Sequence, residues 1–243
     1  MRGKQYPLAE RKMKSGRNHV KAVLFDLGGT LVKIDNSEVP HVMKRMLEDC
    51  GVNRSLEDVS KAWVKSEEGL NFRDMTRLLD EFWVQRNLRI LHNLRVDSET
   101  EKLARFMATH WWDYSRVTLY PDAKTMLPQL KGKGLKTGLI TNGLQSDTSG
   151  VLPQVGLQDF FDVVVVVDTL RRMKPDAEVF NYALEKLRTA PSEAVFVGDD
   201  METDYKGAQK CGLPVFLVDR DGKVQDKSVN RLSSLEDLFE RAL

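Results

Sequence analysis

Polar residues able to do chemistry stand directly after short apolar runs in this chain of 243 residues. Asp26, Thr141 and Asp199 each follow such a run, and Asp168 follows a further one. If the runs are parallel strands, their carboxyl ends meet along one edge of a sheet, which is where open α/β sheets bind ligands. We therefore expect Asp26, Thr141 and Asp199 to converge, with Asp168 as a further candidate.

Together these side chains have the chemistry of a site for a divalent cation and a phosphate. Carboxylates around an open position suit a hard cation, most of all Mg²⁺. Lys174 opens the helix after the third of these runs, so its ammonium reaches the same edge and, with the Thr141 hydroxyl, can bind a phosphate dianion. The glycines of residues 28–30 allow a tight turn that presents amides to an anion. Asp26 in this position can attack phosphorus and form an acyl phosphate.

The segments that must position these residues alternate between two patterns. Near-continuous apolar runs predict buried strands. These runs are residues 21–27, 135–140, 163–167, 194–197 and 215–218. Helical patterns separate the later runs, most clearly at 176–187. The alternation predicts a parallel sheet covered by helices on both faces, so the expected fold class is α/β, with a Rossmann-like doubly wound sheet as its core.

Helical spacing replaces the strand pattern between residues 36 and 117. Pro40 and Gly51 bracket a first predicted helix, and Ser55 begins a capping box for the second. Two further helices are predicted at 72–87 and 98–114. All four tryptophans fall in this region; we expect them to fill its interior, the alternative being that one stacks on a ligand above the core.

The predicted domain organisation is a sheet core interrupted by an all-helical cap domain. The core is predicted at 21–35 and 118–243, and the cap at 36–117. Residues 1–20 are expected to be a basic, disordered tail, because residues 1–21 hold seven Lys or Arg and one acid. The rest of the chain is mildly acidic, so we expect no nucleic acid as a partner.

Composition excludes other classes of protein. No apolar stretch approaches the roughly 20 residues that span a bilayer, and the N-terminus lacks the apolar region of a secretory signal, so no membrane association is expected. Cys50 and Cys211 lie far apart, which excludes a disulfide framework and a zinc cluster and favours a cytoplasmic location. We expect a monomer or a homodimer.

Four motifs, in order, resemble those of the haloacid dehalogenase superfamily of phosphatases and phosphotransferases, with a helical cap inserted after the first motif. They are Val23-Leu-Phe-Asp26-Leu-Gly28-Gly-Thr30-Leu31, Leu139-Ile-Thr141-Asn-Gly143, Lys174-Pro-Asp-Ala-Glu-Val-Phe180 and Val197-Gly-Asp199-Asp-Met-Glu-Thr-Asp204. The resemblance covers nearly all of residues 21–220. It implies a magnesium-dependent phosphatase that acts on a small phosphorylated metabolite through an aspartyl phosphate.

The resemblance also implies a role for each motif residue. Asp26 resembles the nucleophile and a Mg²⁺ ligand, Asp199 and the main-chain oxygen of Gly28 further ligands, Thr141 the hydroxyl on the phosphoryl group, and Lys174 the charge that pairs nucleophile and phosphate. Phosphate-binding roles are implied for Gly29, Thr30, Asn142 and Gly143, and metal-supporting roles for Asp200 and Asp204.

One position departs from the pattern of the phosphatases. Where they carry a second Asp, the general acid for the leaving group, this chain has Gly28. Loss of that proton transfer typically costs ~10²–10⁴-fold in rate. Two alternatives follow, a catalytically weak or inactive protein that binds phosphate or a metabolite, and a dehalogenase or phosphonatase. A metal-free dehalogenase is disfavoured because Asp199 and Asp200 keep the metal-binding motif.

Overall fold

A six-stranded parallel sheet forms the centre of the computed structural model, which describes residues 20–243. In chain order the strands are β1 (Ala22–Phe25), β2 (Val32–Lys33), β3 (Thr118–Leu119), β4 (Lys136–Ile140), β5 (Val163–Val165), β6 (Ala194–Gly198), β7 (Val215–Val218) and β8 (Arg231–Leu232). The sheet order is β5-β4-β1-β6-β7-β8, and β2 and β3 form a separate antiparallel pair. The predicted tail lies outside the described residues except for its last position.

The central position of β1 follows from its composition, because all its residues are apolar and fully buried. It pairs in parallel with β4 on one side and β6 on the other. One apolar cluster covers each face of the sheet, as the near-continuous apolar runs require. The predicted α/β class and doubly wound parallel sheet are therefore confirmed. The run at 163–167 forms a shorter strand than predicted, since β5 ends at Val165.

Helices connect the strands and cover both faces. In chain order they are α1 (Val39–Asp49), α2 (Leu56–Glu67), α3 (Met75–Leu78), α4 (Glu81–Asn93), α5 (Thr100–Thr109), α6 (Trp111–Tyr114), α7 (Pro121–Gly132), α8 (Gln145–Gln154), α9 (Val167–Leu170), α10 (Ala177–Leu187), α11 (Lys206–Lys210) and α12 (Leu238–Arg241). Side chains of α7 and α8 belong to one apolar cluster, and those of α10 and α11 to the other.

The helical segment, residues 36–114, has its own apolar cluster, to which α1, α2, α4 and α5 contribute. Ser55 caps α2 as predicted, since its side chain accepts a hydrogen bond from the Asp58 amide. The single helix predicted at 72–87 is wrong: the chain breaks at Leu79, whose φ is 51°, and α4 starts afresh. The helix predicted at 98–114 is likewise divided into α5 and α6.

A further apolar cluster joins the helical segment to the sheet. Met75 and Phe82 pack with Leu144, which follows β4, and with Val167 and Met173, which follow β5. This contact places the helical segment over the carboxyl edge of the sheet. Within the described part of the chain, no helix has the length and apolar character needed to cross a membrane.

Candidate active site

The carboxyl ends of the central strands open into a cavity of about 590 Å³ between the sheet and the helical segment. Asp26 directly follows β1, Thr141 follows β4 and Asp199 follows β6, and all of them line this cavity. Lys174, from the loop between α9 and α10, lines it too. The convergence predicted from the strand ends is therefore present for these four residues.

The ammonium of Lys174 lies between two carboxylates in the floor of the cavity. Its Nζ donates to Oδ1 of Asp26 and to Oδ1 of Asp204, each at 2.6 Å, and all three residues are buried. Burial alone would lower the pKa of Lys174, but the two carboxylates outweigh burial and raise it above its usual range. Burial raises the pKa of Asp26 to about 7 even though Lys174 opposes the shift.

Asp204 holds the loop after β6 as well as Lys174. Its Oδ2 accepts hydrogen bonds from the amides of Asp199 and Asp200, each at 3.1 Å. This approach requires a glycine at position 198, because a Cβ on Gly198 would lie 2.3 Å from Asp204 Oδ2. The carboxylate of Asp204 thus fixes both the backbone that carries Asp199 and the charge of Lys174.

The carboxylate of Asp199 lies close to the backbone of the turn that follows β1. Thr30 donates its hydroxyl to Asp199 Oδ1 at 3.2 Å. Gly29 has φ +82°, and a Cβ there would lie 2.2 Å from Asp199 Oδ2. Position 29 therefore demands glycine both for its left-handed backbone and for the space that Asp199 occupies. Burial raises the pKa of Asp199.

The donor set of this floor fits a hard divalent cation. Asp26, Asp199 and Asp204 each offer a carboxylate oxygen, and these oxygens lie within 4.8 Å of one another. Among the described residues, nothing donates a hydrogen bond to the Gly28 carbonyl, so it too is available as a ligand. Oxygen donors of this kind are those that Mg²⁺ and Ca²⁺ prefer. Burial first, and the neighbouring carboxylates of Asp204 and Asp199 as well, raise the pKa of Asp26, and a cation would offset this negative charge.

The residues of the predicted phosphate site differ in what they contact. Thr141 lines the cavity, and its Oγ1 accepts a hydrogen bond from the Gly143 amide at 3.2 Å. The Asn142 side chain instead binds the backbone of Lys174, donating to its carbonyl at 3.1 Å and accepting from its amide at 2.7 Å. Asn142 therefore positions Lys174, and its side-chain amide is already engaged.

Two acidic residues, Asp168 and Asp200, accept hydrogen bonds from backbone amides. Asp168 falls in α9, outside the cavity wall, and accepts a hydrogen bond from the Gln145 amide at 2.8 Å, so the expectation that it joins the other strand-end residues is wrong. Asp200 lines the cavity, but its Oδ1 accepts from the amides of Glu202 and Thr203. Burial alone would raise the pKa of Asp200, but these hydrogen bonds outweigh burial, so the pKa is below its usual value.

Sequence reasoning missed Arg220, which holds the turn after β1 from behind. Its guanidinium donates to the carbonyls of Gly29 and Thr30, each at 2.9 Å, and to Asp122 at 3.0 Å, and it lies 3.8 Å from the centre of the Tyr120 ring. Arg220 comes shortly after β7, so the rule that found Asp26 and Asp199 at strand ends could also have found it.

The wall formed by the helical segment is largely aromatic. All four tryptophans line the cavity. Trp63 and Trp111 also pack against the apolar cluster of the helical segment, as expected, whereas Trp83 and Trp112 pack against other clusters. Trp83 and Trp112 donate their indole N–H groups to Asp147, at 3.3 and 3.1 Å. Asp147 also accepts from the Leu144 amide, so this carboxylate ties the helical segment to the start of α8. Burial raises its pKa.

Comparison with known proteins agrees with this geometry. A family model described as haloacid dehalogenase-like hydrolase matches residues 20–212. A glyceraldehyde 3-phosphate phosphatase of Methanopyrus kandleri is 30% identical over 214 residues, which cover 85% of this chain and 87% of that protein. An (S)-2-haloacid dehalogenase of a Pseudomonas species is 26% identical over 227 residues, covering 90% and 95%.

A solved structure shares the whole architecture. The crystal structure of a HAD phosphatase from Thermococcus onnurineus superposes with a TM-score of 0.67 at 25% sequence identity. The match covers 91% of this chain and 97% of that one.

Replacing Gly29 by alanine tests the close approach of Asp199. We expect Gly29→Ala to lower the free energy of unfolding by about 1–3 kcal/mol more than Gly51→Ala, the scale of overpacking a filled site. Gly51 is a matched control because it has φ +78° and open space around it, so the backbone cost is shared. Urea unfolding measures both variants, and equal losses would contradict the contact.

The pKa of Asp26 gives a pH dependence to the metal-free protein. Folded protein retains a proton on Asp26 up to about pH 7, whereas the unfolded chain releases it near the ordinary value of 3.8. Stability from this group is therefore lost as the pH rises through that interval. An asparagine side chain cannot ionise, so the Tm of Asp26→Asn in EDTA should rise relative to that of the wild type as the pH increases from about 4 to about 7. Thermal unfolding that shows a constant or shrinking difference would refute this.

Proposed function

The chain belongs to the family of haloacid dehalogenase-like hydrolases, and from that premise we propose that it is a magnesium-dependent phosphatase of a small phosphorylated metabolite. The observation that carries the proposal is the Lys174 ammonium held between Asp26 and Asp204, with the Asp199 carboxylate beside them. The phosphatase names of a curated relative and of a solved structure support the same reaction class.

We assign the cation to Asp26, Asp199 and the Gly28 carbonyl, with Asp204 and Asp200 supporting them. When bound, Mg²⁺ supplies positive charge that offsets the phosphate dianion and the crowded carboxylates. Lys174 adds a second positive charge at Oδ1 of Asp26. Because Lys174 occupies Oδ1 of Asp26, the second oxygen of that carboxylate remains available to the substrate and the cation.

In the proposed reaction, the Asp26 carboxylate attacks phosphorus, and the bond from phosphorus to the leaving oxygen breaks. Thr141 and the backbone amide of Asn142 bind the phosphoryl oxygens. The phosphate-binding role expected for Gly29, Thr30 and Gly143 is not kept. The Gly29 amide already donates to the Val32 carbonyl and the Gly143 amide to Thr141, and neither Gly29 nor Thr30 lines the cavity. Water then attacks phosphorus of the aspartyl phosphate, which releases inorganic phosphate and restores Asp26. The leaving oxygen takes its proton from solvent, since position 28 supplies no acid.

An apolar side chain occupies the place next to Gly28. A Cβ on Gly28 would lie 2.7 Å from Cδ1 of Ile34, and both residues line the cavity. Ile34 is half exposed, at 51%, so its side chain has room to turn away. The wall beside the leaving group is thus hydrocarbon where the phosphatases place a carboxylic acid.

The domain division belongs to the same proposal. We take residues 36–117 as a cap that closes the cavity over a core of 21–35 and 118–243. The cluster of Met75 and Phe82 with Leu144, and the hydrogen bonds of Trp83 and Trp112 to Asp147, support this arrangement.

A screen of phosphate esters with and without Mg²⁺ tests the proposed function. We expect phosphate release that EDTA abolishes and that Asp26→Asn lowers on the order of 10³-fold or more, the scale of losing a catalytic nucleophile. Asp168→Asn is the matched control, because Asp168 also follows the apolar run of its strand but lies outside the cavity. Tight binding of phosphate esters with no turnover would instead favour a binding protein of the same fold.

The absence of an acid at position 28 predicts selectivity for the leaving group. Wild-type kcat should fall steeply from aryl to alkyl phosphates, and Gly28→Asp should raise turnover of alkyl phosphates by about 10²-fold. Gly28→Asn has the same size without the proton and should give no gain. Adding Ile34→Ala to Gly28→Asp removes the competing side chain. A flat dependence on leaving-group pKa in the wild type would mean that another group already donates the proton.

A further inference from the structure

The cavity wall carries a cationic group that the proposed reaction does not use. Arg86 lies on α4 and lines the cavity, and its side chain is only 12% exposed. Its Nε donates to Glu67 at 2.6 Å, and its guanidinium lies 5.4 Å from the centre of the Trp83 ring. These contacts hold the planar group in one orientation.

The outer nitrogens of Arg86 have no partner within residues 20–243. Nε alone takes part in a hydrogen bond. Neither Nη1 nor Nη2 is sealed from solvent, since Trp63 Nε1 is the only buried side-chain polar atom without a partner in the described part of the chain. Both nitrogens are therefore accessible, and they can donate hydrogen bonds to a ligand in the cavity that Arg86 lines.

Charge in the cavity makes this fork distinctive. Among the residues of its wall, the cationic side chains are Lys174 and Arg86, and Lys174 is already engaged by Asp26 and Asp204. Of these two cations, Lys174 is held by two carboxylates, whereas Arg86 keeps both outer nitrogens without a partner among the described residues. A guanidinium fork matches the two oxygens of a carboxylate or phosphate and binds them through paired hydrogen bonds.

We propose that Arg86 binds a second oxyanion, a carboxylate or phosphate, on the organic part of the substrate while the reacting phosphoryl group lies at Asp26. The tryptophans that line the same cavity contact the hydrocarbon that links the two anions. A cavity of about 590 Å³ is large enough for such a small molecule with two anionic groups. The inference rests on the proposed function, because it assumes that the phosphoryl group is bound at the floor.

Three aryl phosphates that differ in one substituent test this inference. They are 3-carboxyphenyl, 3-phosphonophenyl and 3-carbamoylphenyl phosphate, of which the carbamoyl compound is the neutral match in shape to the carboxylate. We expect wild-type kcat/KM to favour an anionic compound over the neutral one by about 10- to 100-fold, the scale of a charged hydrogen-bonded contact. Arg86→Gln should erase that preference while changing turnover of the neutral compound little. Preference for the carboxylate or the phosphonate identifies which oxyanion is recognised.

Arg89→Gln is the matched control on the same helix. Arg89 donates to the Glu68 carbonyl and lies outside the cavity wall, so this variant should keep the wild-type preference. Equal kcat/KM for all three compounds in the wild type, or a preference that survives Arg86→Gln, overturns the inference. An equal loss on all three compounds also overturns it, because Arg86 would then serve the reacting phosphoryl group or the fold.

Binding separates failure of this inference from failure of the proposed function. Quenching of tryptophan fluorescence in Asp26→Asn gives a Kd for each compound without turnover, since the tryptophans line the cavity. If the wild type hydrolyses none of the compounds, the proposed function fails. A preference for the anionic compounds that Arg86→Gln removes would still support the oxyanion site, and identical Kd values would refute it.

Discussion

The buried ammonium of Lys174, held at 2.6 Å from both Asp26 and Asp204, is the contact on which the rest of the site depends. Three charged groups have left water there, which costs several kcal/mol per ion unless the geometry returns it. The surrounding chain is arranged to keep that geometry. Asn142 holds the backbone of Lys174, and Gly198 leaves the space that Asp204 requires. Removing one partner would leave an uncompensated buried charge.

The same contact leaves the floor short of positive charge. Lys174 balances one of the carboxylates Asp26, Asp199 and Asp204, and burial still raises the pKa of Asp26 to about 7. A divalent cation would offset this excess negative charge, whereas an apolar ligand would not. The opposite wall has the reverse character, since it is aromatic and carries a single fixed guanidinium. We infer that the floor sets the reaction and the wall selects the substrate.

The sheet and the floor could be predicted from sequence because both depend on local signals. Each buried strand is a run of apolar residues, and a parallel sheet brings the ends of such runs to one edge. The convergence of Asp26, Thr141 and Asp199 could therefore be predicted from these runs alone. The four motifs identified the family, which the family model confirms. The prediction for Asp168 was wrong because the apolar run before it is longer than the strand. β5 ends at Val165, and Asp168 already belongs to α9. Arg220 was missed although it follows β7, where the strand-end rule applies. Ile34 and Arg86 were missed because their positions depend on packing between segments distant in sequence.

In the proposed reaction, Asp26 attacks phosphorus and carries the phosphoryl group between two steps. The most direct measurement is acid quenching of a single turnover, with the protein in excess over an aryl phosphate and Mg²⁺ present, followed by peptide mass spectrometry. We expect the peptide containing Asp26 to gain the mass of one phosphoryl group early in the reaction and to lose it as phosphate is released. A phosphoryl group on a different residue, or phosphate release with no adduct on Asp26 at any time, would contradict it.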